Sequence, residues 1–376
     1  MSSVSNTSPS LYVTMLGVGL DVMGGIASVE SLIIEHCPDD VHLTHLSTFE
    51  YGSPWHKINV FTASLFRLVN RLTSKPIDVI YLHFAQRGST WRAVVFIWLC
   101  KIFQKPIVLH AHASEFKLFF NGLPSWAQRI ITTSFRQAER CIVLSDSWKI
   151  FYHEIVGVNR NRISVLFNPV KIPEKVPTRN CLPPLRFVFL GRIGERKGTF
   201  DLVNAIARLP KDLQKQCQLT IAGDGEIEKA NELIIELGLT DCIQVLGWVN
   251  AEKRDELLAD SHAFILPSYN EGLPMALLEA MGWELASIVT PVGGIPEVLT
   301  HKENGLLVEP GNIEELTQAI RLLLTDPNLR ENLAKKARLS VKDLDILGYQ
   351  LRLRETYQDA VNYQKVYTGT TKNRFG

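Results

Sequence analysis

Short apolar runs of strand length recur along the chain, each separated from the next by a helix-length amphipathic stretch. Few folds accept that alternation. It is the pattern of βαβ units, whose parallel strands are buried on both faces. In the first half the runs are LYVTMLGVGL from Leu11, IDVIYLHF (Ile77 to Phe84), PIVLHAH (Pro106 to His112), RCIVLS (Arg140 to Ser145) and RISVLFN (Arg162 to Asn168). A Gly24-Gly25 turn and a helical pattern to His36 follow the first run. The second half restarts with LRFVFLG and continues through QLTIAG, CIQVLG, HAFILP and ASIVT, with a helical tail from near Leu316.

Between the halves, residues 169–184 (PVKIPEKVPTRNCLPP) hold five prolines and no apolar period, which reads as a linker. The 376 residues are long for one domain and comfortable for two. The expected organisation is an N-terminal doubly wound domain over 1–170, a linker over 171–184, a C-terminal doubly wound domain over 185–350, and a helical tail over 351–376 free to pack back on the first domain. Ligands of open α/β sheets bind beyond the carboxyl ends of the strands. Chemistry is therefore expected in loops that follow strands, in a cleft faced by both sheets.

Forty Lys and Arg against 39 Asp and Glu leave a net charge of +1, so no global field argues for nucleic acid. The six cysteines, Cys37, Cys100, Cys141, Cys181, Cys217 and Cys242, include no C-x-x-C pair. They read as small apolar residues in a reducing compartment, not as disulfides or zinc ligands. The start, MSSVSNTSPS, lacks the cationic and apolar regions of a signal peptide. The apolar run near Ala93 to Cys100 falls far short of the ~20 residues a membrane span needs. The expected location is the cytoplasm.

Two motifs follow strands of the second half. GRIGERKG (Gly191 to Gly198) places Arg192 and Lys197 beside glycines that let backbone approach a phosphate, and it leads into a helix. It is not a dinucleotide fingerprint, because G-x-G-x-x-G is missing. By itself it reads equally well as a solvated surface turn. PSYNEGLPMALLEAMG (Pro267 to Gly282) has Pro274 at a helix start, Glu271 in the loop and Glu279 in the helix. An eight-residue offset within one helix would turn the two carboxylates about 80° apart. With Glu271 in a loop they can face a ligand at two points: one carboxylate for a ribose diol, one for sugar hydroxyls, with phosphates between.

The order GRxxxxKG, PSxxEGxxxxxLEAM and GGIPEV resembles the retaining glycosyltransferases of family four, which carry an E-x(7)-E donor signature. The resemblance runs from Gly24-Gly25 through Gly305. It implies a GT-B fold: α/β, two Rossmann-like doubly wound parallel-sheet domains facing across a cleft. It implies transfer of a hexose from a nucleotide diphosphate sugar with retention of configuration. It assigns Arg192 and Lys197 to the diphosphate, Glu279 to the ribose, and Glu271 to the donor sugar. The backbone from Gly272 through Leu273 and Pro274 to Met275 adds hydrogen bonds, and Gly24 and Gly25 serve as the loop that reaches the phosphate. His112, at the end of PIVLHAH, matches a histidine that touches the donor sugar; a core histidine bonded to backbone is the plainer reading. His110, on the same face of the strand, reads as structural.

Departures are visible. Asn168, Pro169, Val170 and Lys171 stand where relatives have Asn-Gly-Val-Asp, Ala113 replaces the glycine after His112, and Glu284, Leu285 and Ala286 replace Gly-x-Pro. Asp343-Leu344-Asp345 lies in the tail and reads as chance, not as a metal motif. No metal or other cofactor is expected; the leaving-group charge falls to Arg192, Lys197 and the helix start. The departing phosphate oxygen is expected to take the acceptor proton. LGWVN (Leu246 to Asn250) resembles the base-pocket loop, with Val249 as contact. Ala251 offers no acceptor for guanine, which favours UDP-glucose, although Asn250 and Glu252 could reverse this. Gly293 and Gly294 are expected to shape a turn near the site. His83, Gln86 and Arg87 are candidates for a saccharide or lipid-linked acceptor. FKLFFNGLPSW (Phe116 to Trp126), with Arg129 and Arg136 beyond it, and WRAVVFIWLCKIFQK are candidates for peripheral membrane contact; a core helix explains the second equally well. A UDP-sugar epimerase of the same fold and a non-catalytic nucleotide-sugar binder are the rival functions.

Overall fold

The computed structural model describes residues 10–372 apart from Ala113 and Cys181, with side chains to Val366. The readings of the first nine residues, of Ala113 and of Cys181 lie outside the described residues. The other five cysteines are free thiols.

The chain divides into two compact units, Met1–Pro169 with Ile346–Gly376, and Val170–Asp345. In chain order the first unit contains β1 (Leu11–Gly17), α1 (Gly25–Glu35), β2 (Val41–Ser47), α2 (Pro54–Ser74), β3 (Val79–Phe84), α3 (Gly88–Ile102), β4 (Ile107–Ala111), α4 (Phe116–Asn121), α5 (Ser125–Phe135), β5 (Arg140–Val143), α6 (Asp146–Glu154) and β6 (Ile163–Val165). The second contains β7 (Leu185–Leu190), α7 (Thr199–Ala207), α8 (Lys211–Gln214), β8 (Cys217–Ala222), α9 (Ile227–Glu236), β9 (Ile243–Leu246), α10 (Ala251–Asp260), β10 (Ala263–Leu266), α11 (Met275–Gly282), β11 (Ala286–Val289), β12 (Leu306–Leu307), α12 (Ile313–Thr325) and α13 (Pro327–Ser340). Then α14 (Ile346–Lys372) returns to the first unit.

All strand pairs are parallel. The sheets run β2-β1-β3-β4-β5-β6 and β12-β11-β10-β7-β8-β9. Read from its other edge, the second is the doubly wound dinucleotide-binding order, whose direction reverses between β7 and β10; the first reverses between β1 and β3. Central strands such as β3, β4 and β10 are buried at every position, as strands covered on both faces must be. The first core joins β3, β4 and β5 to α2, α3, α4, α5 and α6 through Leu68, Phe96, Phe116, Phe135 and Tyr152. Helix starts are set by local chemistry: Ser53, Ser145, Asn250, Asn312 and Asp326 each accept a first-turn N–H on the side chain.

The proline-rich stretch is tied to the second unit. Arg179 donates to the carbonyls of Ala259, Trp283 and Glu284, and Arg338 donates to that of Pro173 at 2.6 Å. The Asp-x-Asp of the tail belongs to the same tie: Ile172 N–H donates to Asp345 Oδ1, and Val170 N–H to the Leu344 carbonyl. Helix α14 is fastened to the first unit by Gln350 donating to the Ile33 carbonyl (2.7 Å), Arg354 to Asp40 (2.7 Å) and Arg162 to the Tyr363 hydroxyl (2.5 Å). Tyr349, Leu353 and Tyr357 are its buried face.

Candidate active site

In the second unit both motifs leave the strands that flank the reversal of strand order: GRIGERKG follows β7, and PSYNEG follows β10. The two loops are pressed together. Gly198 has φ +69°, and a Cβ there would lie 2.1 Å from the Pro267 carbonyl oxygen, so only glycine fits. Tyr269 N–H donates to the Arg196 carbonyl, and Arg196 Nη1 to that of Asn270 (3.0 Å). Across this junction Lys197 Nζ meets Glu271 Oε1 at 2.5 Å, both mostly buried, and Ser268 Oγ donates to the same oxygen at 2.7 Å. Gly293 (φ +60°) closes the far side. Its Cβ would meet the Glu271 carbonyl oxygen at 2.0 Å, and Gly294 N–H donates to the Gly272 carbonyl at 2.6 Å.

Helix α11 begins after Pro274 with no side-chain cap, so its first N–H groups have no partner in the helix. A helix N-terminus with free N–H groups suits an anion. Arg192 is exposed, and its Nη1 donates to Asp224 Oδ2 at 3.0 Å; exposed pairs of this kind contribute little. Glu279 is buried within α11. Burial pushes its carboxyl above the ordinary range, opposed by Arg254, whose Nη1 lies 2.9 Å from Oε1. Sequence reasoning missed Arg254; its place in α10 matches no motif. Asn250 caps α10, its side-chain oxygen accepting from Lys253 N–H at 2.8 Å. Val249 is half-buried, beside an exposed Trp248.

The reversal point of the first unit gathers a second cluster. Glu30, fully buried on α1, receives Val18 N–H at 3.1 Å, touches His45 Nε2 at 3.2 Å and lies 3.5 Å from His83 Nδ1. A Cβ on Gly17 would collide with that carboxylate. His83 Nδ1 is 2.9 Å from His112 Nε2, and the Tyr81 hydroxyl is 2.6 Å from His110 Nδ1. Burial depresses all three histidines, His112 to about 3, so their rings are neutral at pH 7. His83, read as an acceptor contact, sits inside β3, buried, with its Nδ1 turned to His112. Gln86 donates to Glu115, and Arg87 is exposed with φ +59° before α3. Gly24 precedes α1 and Gly25 is its first residue. His83, His110 and His112 each offer a nitrogen within 4.8 Å of the others.

Residues 178–340 match the family described as glycosyl transferases group 1, and residues 29–172 match glycosyltransferase family 4. The chain is 26% identical over 311 residues to GalNAc-alpha-(1->4)-GalNAc-alpha-(1->3)-diNAcBac-PP-undecaprenol alpha-1,4-N-acetyl-D-galactosaminyltransferase of Campylobacter jejuni, covering 82% of each chain. It is 24% identical to 2-deoxystreptamine N-acetyl-D-glucosaminyltransferase of Niallia circulans, covering 70% of this chain and 71% of that one. Among solved structures, Anabaena HepE in complex with UDP and glucose superimposes with a TM-score of 0.74 at 18% identity, over 93% of this chain and 99% of that one. Sucrose-phosphate synthase from Thermosynechococcus elongatus gives 0.75 at 18% identity, over 93% and 98%. With a family match on each half and both sheets doubly wound, the chain belongs to the group 1, family 4 glycosyltransferases of the GT-B fold.

Proposed function

We propose that the chain transfers a hexose from UDP-glucose to a saccharide or lipid-linked saccharide, with retention of configuration and without a metal ion. The observation that carries this reading is the junction of Lys197, Glu271 and the uncapped start of α11, with Glu279 one helical stretch further on. It pairs an anion seat with two buried carboxylates, the requirements of a diphosphate flanked by a ribose and a sugar. Lys197, Arg192 and the α11 amides take the negative charge that grows on the pyrophosphate as it leaves. Glu279 accepts from the ribose hydroxyls, Glu271 from the donor sugar, and the neutral ring of His112 offers a hydrogen bond to that sugar. The C1–O bond to phosphate breaks as the acceptor oxygen bonds C1 on the same face, and the acceptor proton passes to the departing phosphate oxygen. The neighbour solved with UDP and glucose and the relative whose name carries an undecaprenol-linked acceptor support the choice of substrates.

Incubation with UDP-glucose and an acceptor panel, with and without EDTA, tests the reading. Acceptor-dependent UDP release that survives EDTA and yields an α-linked product is expected. Epimerised nucleotide sugar without free UDP would overturn it.

A further inference from the structure

We propose that Glu30 is a positioning residue for His112: acting through His83, it fixes the tautomer that leaves a proton on His112 Nδ1, so that the ring is a hydrogen-bond donor to the donor sugar. This rests on the reading of His112 as a contact of that sugar and goes one step behind it, to what decides which side of the ring carries the proton.

Glu30 is a fully buried carboxylate on a helix face otherwise made of Ala27, Val29 and Ile33. Such a group is costly to bury unless donors hold it. The chain makes room for it: a Cβ on Gly17 would fall 2.2 Å from Oε2. Val18 N–H reaches both oxygens, at 3.1 Å (Oε2) and 3.3 Å (Oε1), and His45 Nε2 lies 3.2 Å from Oε2. Oε1 faces His83 Nδ1 at 3.5 Å. That is longer than a good hydrogen bond, so the carboxylate acts on this ring by its charge.

His83 is neutral, burial holding its pKa down, and has one ring proton to place. On Nε2 the proton would find no acceptor, because that atom is buried and meets no partner among the described residues. On Nδ1 it meets His112 Nε2 at 2.9 Å, with the carboxylate beside it. A buried N–H without an acceptor is costly, and a facing anion favours an N–H over a lone pair. His83 therefore donates from Nδ1 to His112 Nε2. His112 is neutral as well; with Nε2 accepting, its single proton sits on Nδ1. His112 stands one residue beyond β4 and is half-buried, so Nδ1 is the nitrogen left for a ligand. A sugar whose hydroxyl protons go to Glu271 offers the ring lone pairs, and a donor is the form that answers them. Glu30 thus does at one remove what the aspartate of a Ser-His-Asp triad does directly, which is to hold an imidazole in one tautomer.

The test is Glu30→Gln. Val18 N–H and His45 draw the amide oxygen to the Oε2 position, which puts the amide nitrogen beside His83 Nδ1 and opposes a proton there. Nitrogen-15 NMR of the full chain labelled at histidine, with no nucleotide present, reads the tautomers. His112 should be protonated on Nδ1 in the wild type and on Nε2 in E30Q. A wild-type ring protonated on Nε2, or no switch in E30Q, overturns the proposal; the wild-type spectrum decides even if E30Q folds poorly. In turnover, E30Q should lower kcat/KM for UDP-glucose about tenfold, the weight of one hydrogen bond, and leave the inhibition constant of UDP unchanged. In an H112A background the same substitution should cost nothing further; a full tenfold loss there would make Glu30 a residue of the fold alone. Normal turnover by H112A, with the expected nitrogen signals, would remove the sugar contact and leave the relay standing.

Discussion

Replacing Arg254 by methionine removes the cation that touches Glu279 while keeping much of the side-chain volume. Unit charges ~4 Å apart attract by about 4 kcal/mol at an effective dielectric of ~20. Arg254 keeps 25% of its side chain in solvent and shares its guanidinium with Asp255, so about half of that, ~2 kcal/mol, is the expected loss. The pH dependence has a definite sign. Burial already raises the Glu279 carboxyl, and without Arg254 it rises further. The folded protein then holds a proton at a pH where the unfolded chain has released it. Stability of R254M relative to wild type is therefore highest at low pH and falls as pH climbs from the ordinary carboxylate range through the raised folded value. Donor affinity moves the opposite way, because only the ionised carboxylate accepts from both ribose hydroxyls. Urea unfolding and the KM for UDP-glucose, each measured from pH 5.5 to 9 against wild type, should diverge: stability relative to wild type dropping with pH, KM improving. The KM at the acid end should exceed wild type by about tenfold or more, the weight of a hydrogen bond to a charged group. An R254M enzyme with unchanged KM and a parallel pH profile would refute both the pairing and the role of Glu279.

Further outcomes follow from the same geometry. Glu271→Gln keeps the shape of the junction but not its charge, and should lower kcat/KM for UDP release by about 100-fold with an unaltered circular dichroism spectrum; normal turnover would remove Glu271 from the mechanism. Gly293→Ala and Gly238→Ala both put alanine at positive φ, but Gly238 faces open space whereas the Cβ at Gly293 meets a carbonyl at 2.0 Å. The Gly238 variant should lose about 1–2 kcal/mol in chemical denaturation and the Gly293 variant clearly more, with impaired UDP binding; equal losses would deny the contact. His83, His110 and His112 are depressed by burial, so the folded state binds fewer protons than the unfolded chain as pH falls below the usual histidine range. Stability should decline below about pH 6.5 by up to ~1.4 kcal/mol per pH unit for each ring. A flat stability profile from pH 7 to 5 would contradict that burial.

The strands were legible because parallel strands buried on both faces have to be nearly continuous apolar runs. The two strands missed are the exceptions to that cause. β2 (VHLTHLS) is an edge strand, half-buried and interrupted by histidines, and β12 is two residues long. Lys197, Glu271 and Glu279 could be found because they lie within a few residues of glycines or a proline that mark the loops. Glu30 and Arg254 could not, since their partners are remote in sequence: Glu30 meets His83 across β1, and Arg254 meets Glu279 from a different helix. One signal was present for Glu30, a lone carboxylate on the apolar stripe of Ala27, Val29 and Ile33.

Why the chemistry gathers where it does follows from the sheets. Where strand order reverses, neighbouring crossovers leave to opposite faces and the carboxyl ends of the two central strands stay uncovered. In the second unit that gap lies between β7 and β10, and the two loops that meet there carry Lys197 and Glu271. In the first it lies between β1 and β3, where Val18, Glu30 and His83 meet. Each gap admits a buried carboxylate only because a glycine permits the close packing around it: Gly17 leaves room for the Glu30 side chain, and Gly293 lets a second loop lie against the backbone of Glu271. An alanine at either glycine would therefore displace the charged group packed against it. The reversal points supply the location of the acids and cations, and the glycines supply the clearance around them.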